Sequence, residues 1–369
     1  GYALLEGRAR LARRVGIPPV KALTVRGLFG NPGALRTAAA LLRLLQPLLF
    51  RPREADPRYV RSLWRLPPFG QRILLPRLRG DRGLTGRPGG RRVESLPGPE
   101  QASGTLVVYP GCLVELGYPE LLADVEAVYG RLGWRVVIPP GLVCCGAPAA
   151  YAGDLRTARR LAAINLRAVL PHLRGHEGGR AGPQEDVRLG FLCPSCAVSF
   201  KRDYPEYLFG KLSGGAGALA GIGVSPADLQ AVASRTEDAA ALAWRLGIAE
   251  HLRGETVPSV TYHDPCHLRR LLGVVKEPRA ALRALSGGGY REAANPDSCC
   301  GFGGTFAIEH PEAGSALLAR RVESLVSTGA ELVATACPGC MAWLANGLDR
   351  AGSTQRPVHL IELLARGLR

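Results

Sequence analysis

Thr105-Leu-Val-Val-Tyr-Pro-Gly-Cys112 is a short apolar run that halts at Pro-Gly and then presents a thiol. Such a run is the pattern of a buried strand stopping at a turn. The texture recurs downstream. Val187 to Leu192 runs straight into Cys193, Ser259 to His263 ends at Pro265-Cys266, and Leu332 to Thr335 runs into Cys337. Trp134 to Ile138 is a further strand, closed by Pro139-Pro140-Gly141. Helical spacing separates these runs at Pro119 to Leu132, Thr157 to Leu170, about Pro278 to Leu285, and Pro311 to Ser327. Strands alternating with helices predict parallel α/β layers. Ligands of such sheets bind beyond the carboxyl ends of the strands, where Cys112, Cys193, Cys266 and Cys337 are expected to stand.

The cysteines repeat with the strands. One set is Cys112, Cys144-Cys145-Gly146 and Cys193-Pro-Ser-Cys196. The other is Cys266, Cys299-Cys300-Gly301 and Cys337-Pro-Gly-Cys340. The gaps from single cysteine to doublet are 31 and 32 residues, and those from doublet to Cys-x-x-Cys are 47 and 36. The extra length of the first half falls at Gly175 to Asp186, a surface-loop composition that tolerates insertion. All ten cysteines are consumed, which makes the pattern an internal duplication. The expected fold is α/β, with two pseudo-symmetric parallel-sheet halves preceded by a basic helical segment. The expected domains are 1–104, 105–223 and 224–369, with the Gly- and Ala-rich stretch 210–223 between the halves.

Of the 369 residues, 46% are hydrophobic and 21% charged, enough apolar matter for real cores. No apolar run reaches the roughly 18–20 residues of a membrane span, and the Arg-rich start lacks the marks of a secretory signal. Position 1 is Gly and the single methionine is Met341, which implies a fragment or a processed form. The net charge is +16, and residues 1–100 hold 20 Lys and Arg against 6 Asp and Glu, while the remainder holds 27 against 25. Such a block faces nucleic acid, an anionic membrane or an acidic partner. No helix-turn-helix, zinc-finger or aromatic RNA-binding signature accompanies it, so no nucleic-acid partner is expected. Gly33 to Phe50 predicts a basic amphipathic helix that lies on a membrane, on a partner or on its own domain. Residues 51–104, rich in Pro, Gly and Arg, predict a linker or wrapping segment, with Trp64 and Phe69 as anchors.

Three chemistries compete for the thiols. Disulfides suit small secreted domains, and a chain of this size without a secretory signal has no need of them. Zinc takes four ligands in a tetrahedron, and each set here offers five. A polynuclear iron–sulfur site, where each iron wants sulfur, fits that excess better. A standard cubane uses four cysteines, so the fifth implies an unusual cluster or a spare thiol. Each Cys-Pro-x-Cys is expected to open a helix, whose N–H groups then face cluster sulfur. Gly146, Gly301, Gly303 and Gly304 are expected to let backbone approach the inorganic core.

Pro110-Gly-Cys112, Cys144-Cys145-Gly146, His263-Asp-Pro-Cys266-His267, Cys299-Cys300-Gly301 and Cys337-Pro-Gly-Cys340 resemble the motifs of the CCG, or cysteine-rich, domain family. The resemblance covers about residues 105–368. That family includes heterodisulfide reductase catalytic subunits. It also includes iron–sulfur subunits of glycolate oxidase, lactate utilisation and anaerobic glycerol-3-phosphate dehydrogenase complexes. The resemblance implies [4Fe–4S] clusters, one per cysteine-rich domain, with all ten cysteines as ligands. In the reductase members such five-cysteine motifs hold non-cubane clusters that cleave a disulfide. Glycolate oxidase subunits often retain only part of each terminal Cys-x-x-Cys, whereas this chain retains both in full. Residues 1–50 resemble the region that follows a two-cluster ferredoxin domain in the glycolate oxidase type, and no ferredoxin-type cysteine run stands before them here.

The resemblance therefore implies an electron-transfer subunit of a flavin-dependent 2-hydroxyacid dehydrogenase, of glycolate or lactate type. A flavoprotein partner would oxidise the substrate, since no dinucleotide fingerprint is present in this chain. This chain would pass electrons to quinone or another carrier, in the cytoplasm or peripherally on the cytoplasmic membrane face. The alternatives are a heterodisulfide or thiol reductase subunit and, outside redox chemistry, a zinc-stabilised interaction module. His263 and His267 flank Cys266 and are candidate catalytic groups, for proton delivery or for hydrogen bonding to a cluster or its substrate. His267 could instead cap or pack at a helix start. Asp264 is expected to cap the turn, and Arg269 and Arg270 to offset cluster charge or stay solvated.

Overall fold

The structure, a computed structural model, describes residues 2–53, 56–62, 102–174, 186–210, 212, 223–254 and 256–368. Trp64 and Phe69, residues 175–185 and most of 210–223 lie outside them. A short antiparallel hairpin joins β1 (Phe50–Arg53) to β2 (Asp56–Ser62). The first main sheet holds β3 (Gly104–Tyr109), β4 (Trp134–Val137), β5 (Asp186–Phe191) and β6 (Thr236–Asp238) in the order β4-β3-β5-β6. The second holds β7 (Val260–Tyr262), β8 (Leu332–Thr335) and β9 (Arg356–His359) in the order β7-β8-β9. Every pairing in both sheets is parallel.

Tyr290 bridges Val260 in parallel, the place that β4 takes beside β3. The two sheets then share one order, with Tyr290, β7, β8 and β9 standing for β4, β3, β5 and β6. The repeat of the cysteines is thus a repeat of the fold. It also runs further than the boundary expected at 223/224. β6 pairs with Leu189 to Phe191 and closes the first sheet, so a cut there would remove its fourth strand. Thr-Glu-Asp carries no apolar signal, and only its neighbours make it a strand.

The halves share a central core. Helix Glu120–Arg131 packs on helix Leu360–Gly367, and helix Ala239–Arg245 packs on helix Lys276–Ser286. Each pair joins the helix after the first strand of one repeat to the helix after the last strand of the other. Leu121, Val125 and Val128 meet Leu282, Leu360, Leu363 and Leu364 there, all at most 1% exposed. At roughly 1.5–3 kcal/mol for each large apolar side chain fully buried, this seam holds the repeats together. The outer faces have separate cores. Helix Leu155–Arg174 and the aromatic set Tyr109, Phe191, Phe200 and Tyr204 cover the first sheet. Helices Pro311–Val326 and Pro338–Arg350 cover the second, around Trp343.

The N-terminal segment is part of this body. Leu5, Ala9 and Val25 are buried in the outer core of the first half. Helix Tyr2–Val15 presses on Gly153, where an added Cβ would stand 2.7 Å from the Arg8 carbonyl oxygen. Arg8 donates to the Tyr151 carbonyl (3.0 Å), Arg26 pairs with Asp154 (2.6 Å), and Lys21 reaches Glu309 of the second half (2.9 Å). The apolar residues between the arginines bury this segment, and these polar contacts tie it to the surface around it. Gly33 to Phe50 falls largely within helix Pro32–Leu49, in which Leu41 is exposed. The side chains of Leu42, Leu44, Leu45, Leu48 and Leu49 lie outside the described residues. Among the described residues no helix is long and apolar enough to cross a membrane.

Candidate functional site

The carboxyl ends of the strands deliver the thiols. Cys112 follows β3 and opens helix Cys112–Gly117, while Cys266 follows β7 and opens helix Cys266–Leu271. Cys193 and Cys337 precede helices Pro194–Val198 and Pro338–Arg350 in extended conformation. Proline follows each, at the first helical position, where its missing N–H costs no helical bond. All ten cysteines line one cavity of about 180 Å³. Cys112, Cys266 and Cys299 are half-buried and the rest buried.

Thiol contacts run in an unbroken series. In the first set Cys112 meets Cys144, then Cys145, Cys196 and Cys193. Cys193 meets Cys337, and the series continues through Cys340, Cys300 and Cys299 to Cys266. The Sγ atoms of Cys300 and Cys340 are 3.5 Å apart. Followed from the other end, the series visits equivalent positions of the repeat in the same order. Its midpoint, Cys193 with Cys337, is the pseudo-two-fold junction. The sequence predicts two points of convergence, and the structure gathers each set and lets the two touch at that junction.

Hydrogen bonds within the series sort the thiols. Those from Cys144 and Cys196 hold Cys145 well below the usual thiol range. Those from Cys196 and Cys337 do the same for Cys193. Those from Cys266 and Cys300 pull Cys299 down to about 2, and the Gly301 N–H, 3.3 Å from its Sγ, adds to this. Cys144, Cys196, Cys266, Cys337 and Cys340 are pushed up by the neighbours they donate to and by burial. Thiolate is the form that binds metal. Two adjoining sets of five thiols could hold polynuclear iron–sulfur groups, whereas one tetrahedral ion would leave a thiol over in each.

His263 is fully buried, and burial together with Arg321 pushes it down to about 3, so the ring is neutral. His267, on the other side of Cys266, lines the cavity, and its Nδ1 is 2.9 Å from Ser195 Oγ of the first half. The repeat equivalents of this pair are Leu113 and Gly339, so the matching part of the cavity wall is apolar. A Cβ on Gly339 would stand 2.8 Å from the Phe302 ring and 3.5 Å from Leu113.

Asp264 does not cap the turn. Its buried carboxylate accepts from Arg269 (3.0 Å) and Arg279 (2.6 Å). Arg269 is thereby engaged, and Arg270 reaches Asp297, so neither is committed to cluster charge. Gly146 and Gly301 are needed for a different reason from the one expected. Both have positive φ, and a Cβ on either would strike the helix behind it, at the Ala158 or Gly314 carbonyl, not the cavity. Gly303 and Gly304 do line the cavity.

Residues that the sequence did not single out complete the walls: Tyr151, Ser195 and Phe302. Ser195 is the variable position of Cys-Pro-x-Cys and was open to notice there. Arg321, fully buried behind His263, carries no mark in an otherwise amphipathic helix.

Residues 106–175 and 260–345 each match the cysteine-rich domain, CCG. The chain carries two cysteine-rich domains. It is 28% identical over 259 residues to a subunit of the fumarate reductase (CoM/CoB) of Methanothermobacter marburgensis, covering 69% of this chain and 45% of that protein. It is 28% identical over 256 residues to lactate utilization protein A of Bacillus subtilis, covering 69% of this chain and 95% of that protein. It is 26% identical over 276 residues to the probable glycolate oxidase iron-sulfur subunit of Bacillus subtilis, covering 74% of this chain and 57% of that protein. The chain thus spans about half the length of two of these relatives and nearly all of the third.

Proposed function

We propose that this chain is the iron–sulfur subunit of an oxidoreductase and relays electrons from a flavoprotein that oxidises a 2-hydroxyacid of the glycolate or lactate class. The observation that carries the proposal is the unbroken series of ten thiols across the two cysteine-rich domains. When bound, iron–sulfur clusters supply one-electron chemistry. In this reading Cys112, Cys144, Cys145, Cys193 and Cys196 hold one [4Fe–4S] cluster, and Cys266, Cys299, Cys300, Cys337 and Cys340 hold the other. Contact between Cys193 and Cys337 gives electrons a short route between the halves. Burial of most of the thiols excludes water from that route. Exposed apolar residues of the arginine-rich N-terminal helices, Leu4, Leu11, Val15, Val20 and Leu23, offer a face to a partner or to an anionic membrane.

A second reading, disulfide or thiol reduction at the clusters themselves, is favoured by one feature. His267, Ser195 and Tyr151 bring proton-carrying groups to the cavity both thiol sets share, and a relay needs none. The test begins with anaerobically purified protein, which should carry iron and acid-labile sulfide. Stoichiometric zinc with no iron after reconstitution overturns both readings. Mixed with its flavoprotein and glycolate or L-lactate, the relay is expected to bleach in the visible. Bleaching by a low-potential donor, reversed only by an organic disulfide and with no response to hydroxyacid, selects the second reading.

A further inference from the structure

The repeat is unequal at one buried position. Three residues before Cys112 stands Tyr109, and three before Cys266 stands His263. The Tyr109 hydroxyl donates to the Val143 carbonyl at 2.5 Å, so its one proton is used. His263 is placed differently. Arg321 Nε donates to His263 Nδ1 at 3.0 Å, and the guanidinium has no lone pair with which to reverse that bond. Nδ1 therefore accepts and is unprotonated, and the ring's one remaining N–H is at Nε2. Nε2 is buried without a hydrogen-bond partner among the described residues. An imidazole nitrogen of His263 and the Sγ atoms of Cys300 and Cys340 lie within 4.8 Å of one another. Arg321 cannot swing away, because it also donates to the carbonyls of Tyr262 (3.0 Å), Ala294 (3.3 Å) and Asn295 (3.2 Å).

We propose that His263 is a positioning residue that donates from Nε2 to sulfur at Cys300 or Cys340, and so makes the two repeated cluster sites unequal. The proposal rests on the iron–sulfur reading above. It also excludes His263 as an iron ligand, since a nitrogen that carries the proton has no lone pair for a metal. Hydrogen bonds to cluster sulfur are among the factors that set its potential. A donor stabilises the reduced, more negative state, so the half that carries His263 is the better electron acceptor.

The test is a redox titration of the full chain, purified anaerobically and followed by EPR. His263→Leu at full iron and sulfide is expected to shift one midpoint potential to more negative values and leave the other in place. His263→Gln, whose amide can still donate, is expected to shift it less. Arg321→Met, which releases Nδ1, is expected to move the same potential in the same direction. Two unmoved potentials in His263→Leu, or a shift in His263→Gln equal to that in His263→Leu, overturns the assignment. Should His263→Leu shed iron, pulsed EPR of ¹⁵N-histidine-labelled His267→Asn protein decides. A weak nitrogen coupling with an exchangeable proton supports the donor. No coupling, or the strong coupling of a direct ligand, overturns it. Protein that takes up no iron at all overturns the iron–sulfur reading and this inference with it, a result distinct from unmoved potentials at full iron.

Discussion

Replacing Asp154 should loosen the first thiol set from a distance. Its carboxylate precedes helix Leu155–Arg174 and accepts from Thr157 N (3.2 Å) and Thr157 Oγ1 (3.0 Å), which caps the helix. The same carboxylate pairs with Arg26 of the N-terminal wrap at 2.6 Å. The capped helix in turn pins the cysteine doublet. Asn165 accepts from Val143 N (2.9 Å) and donates to the Cys144 carbonyl (3.1 Å). Loss of the cap costs about 1 kcal/mol. The ion pair adds up to about 1 kcal/mol, discounted because Arg26 is 60% exposed. Asp154→Ala should therefore lose about 2 kcal/mol. Asp154→Asn, which keeps a capping oxygen, should lose about 1 kcal/mol.

Anaerobic urea unfolding followed by tryptophan fluorescence measures this, and about 2 kcal/mol lowers the midpoint by roughly 0.5–1 M. Burial alone would raise the Asp154 carboxyl, but hydrogen bonds from Arg26 and Thr157 outweigh it and hold the group below its ordinary value of 3.8. The ionised carboxylate is thus stabilised by folding. Its contribution is present above the unfolded value and lost as pH falls through the lower folded one. The gap between wild type and Asp154→Asn should stay level from pH 8 to 5 and close only below about 4. Iron should also leave Asp154→Ala faster than wild type on chelation. A midpoint within about 0.2 M of wild type, with unchanged iron release, refutes the coupling.

Val25→Asp puts a carboxyl in the outer core of the first half, and limited proteolysis is expected to strip the N-terminal helices from it while wild type resists. Burial pushes His359 down to about 4 from 6.5, so the unfolded chain takes up a proton before the folded one does. The contribution of His359 is full above about 6.5 and falls by up to about 3 kcal/mol as pH drops towards 4. His359→Gln should flatten that slope in urea titrations taken between those pH values. Cys193→Ser and Cys337→Ser, at the junction of the two sets, should each perturb the EPR signals of both clusters, whereas Cys112→Ser should perturb one.

The strands that carry a cysteine were legible because an apolar run and a Pro or Gly stop coincide at each. β6 and β9 were not, since Thr-Glu-Asp and Arg-Pro-Val-His owe their conformation to the strand beside them. The pairing of helix Glu120–Arg131 with Leu360–Gly367 was equally hidden, because amphipathic spacing shows that a face is buried but not what it meets. The thiol sets were visible as a count and a spacing. That they touch is a property of how the two sheets face each other, which the spacing within each half does not contain. The basic N-terminal segment left open a membrane, a partner or the protein's own domain as what its helices lie on. Leu5, Ala9 and Val25 bury in the outer core of the first half, and Arg26 pairs with Asp154 beside it.

Duplication gives two sites for the same elements, and selection can then act on each copy separately. Ser195 and His267 make a polar bridge on the cavity wall where the equivalent Gly339 and Leu113 offer only an apolar pair. Phe302-Gly303-Gly304 follows one doublet where Ala147-Pro148-Ala149 follows the other. An electron wire feels such differences only through its potentials, as it would feel His263, and has no use for one polar and one apolar side as such. A cavity that must hold a molecule in one orientation gains from having one polar side and one apolar side. The polarity of the two pairs, rather than the thiols common to both halves, is therefore where relay and reductase part. Ser195→Ala with His267→Leu would make both pairs apolar. It should leave electron flow from a hydroxyacid-oxidising flavoprotein intact and abolish turnover of a disulfide.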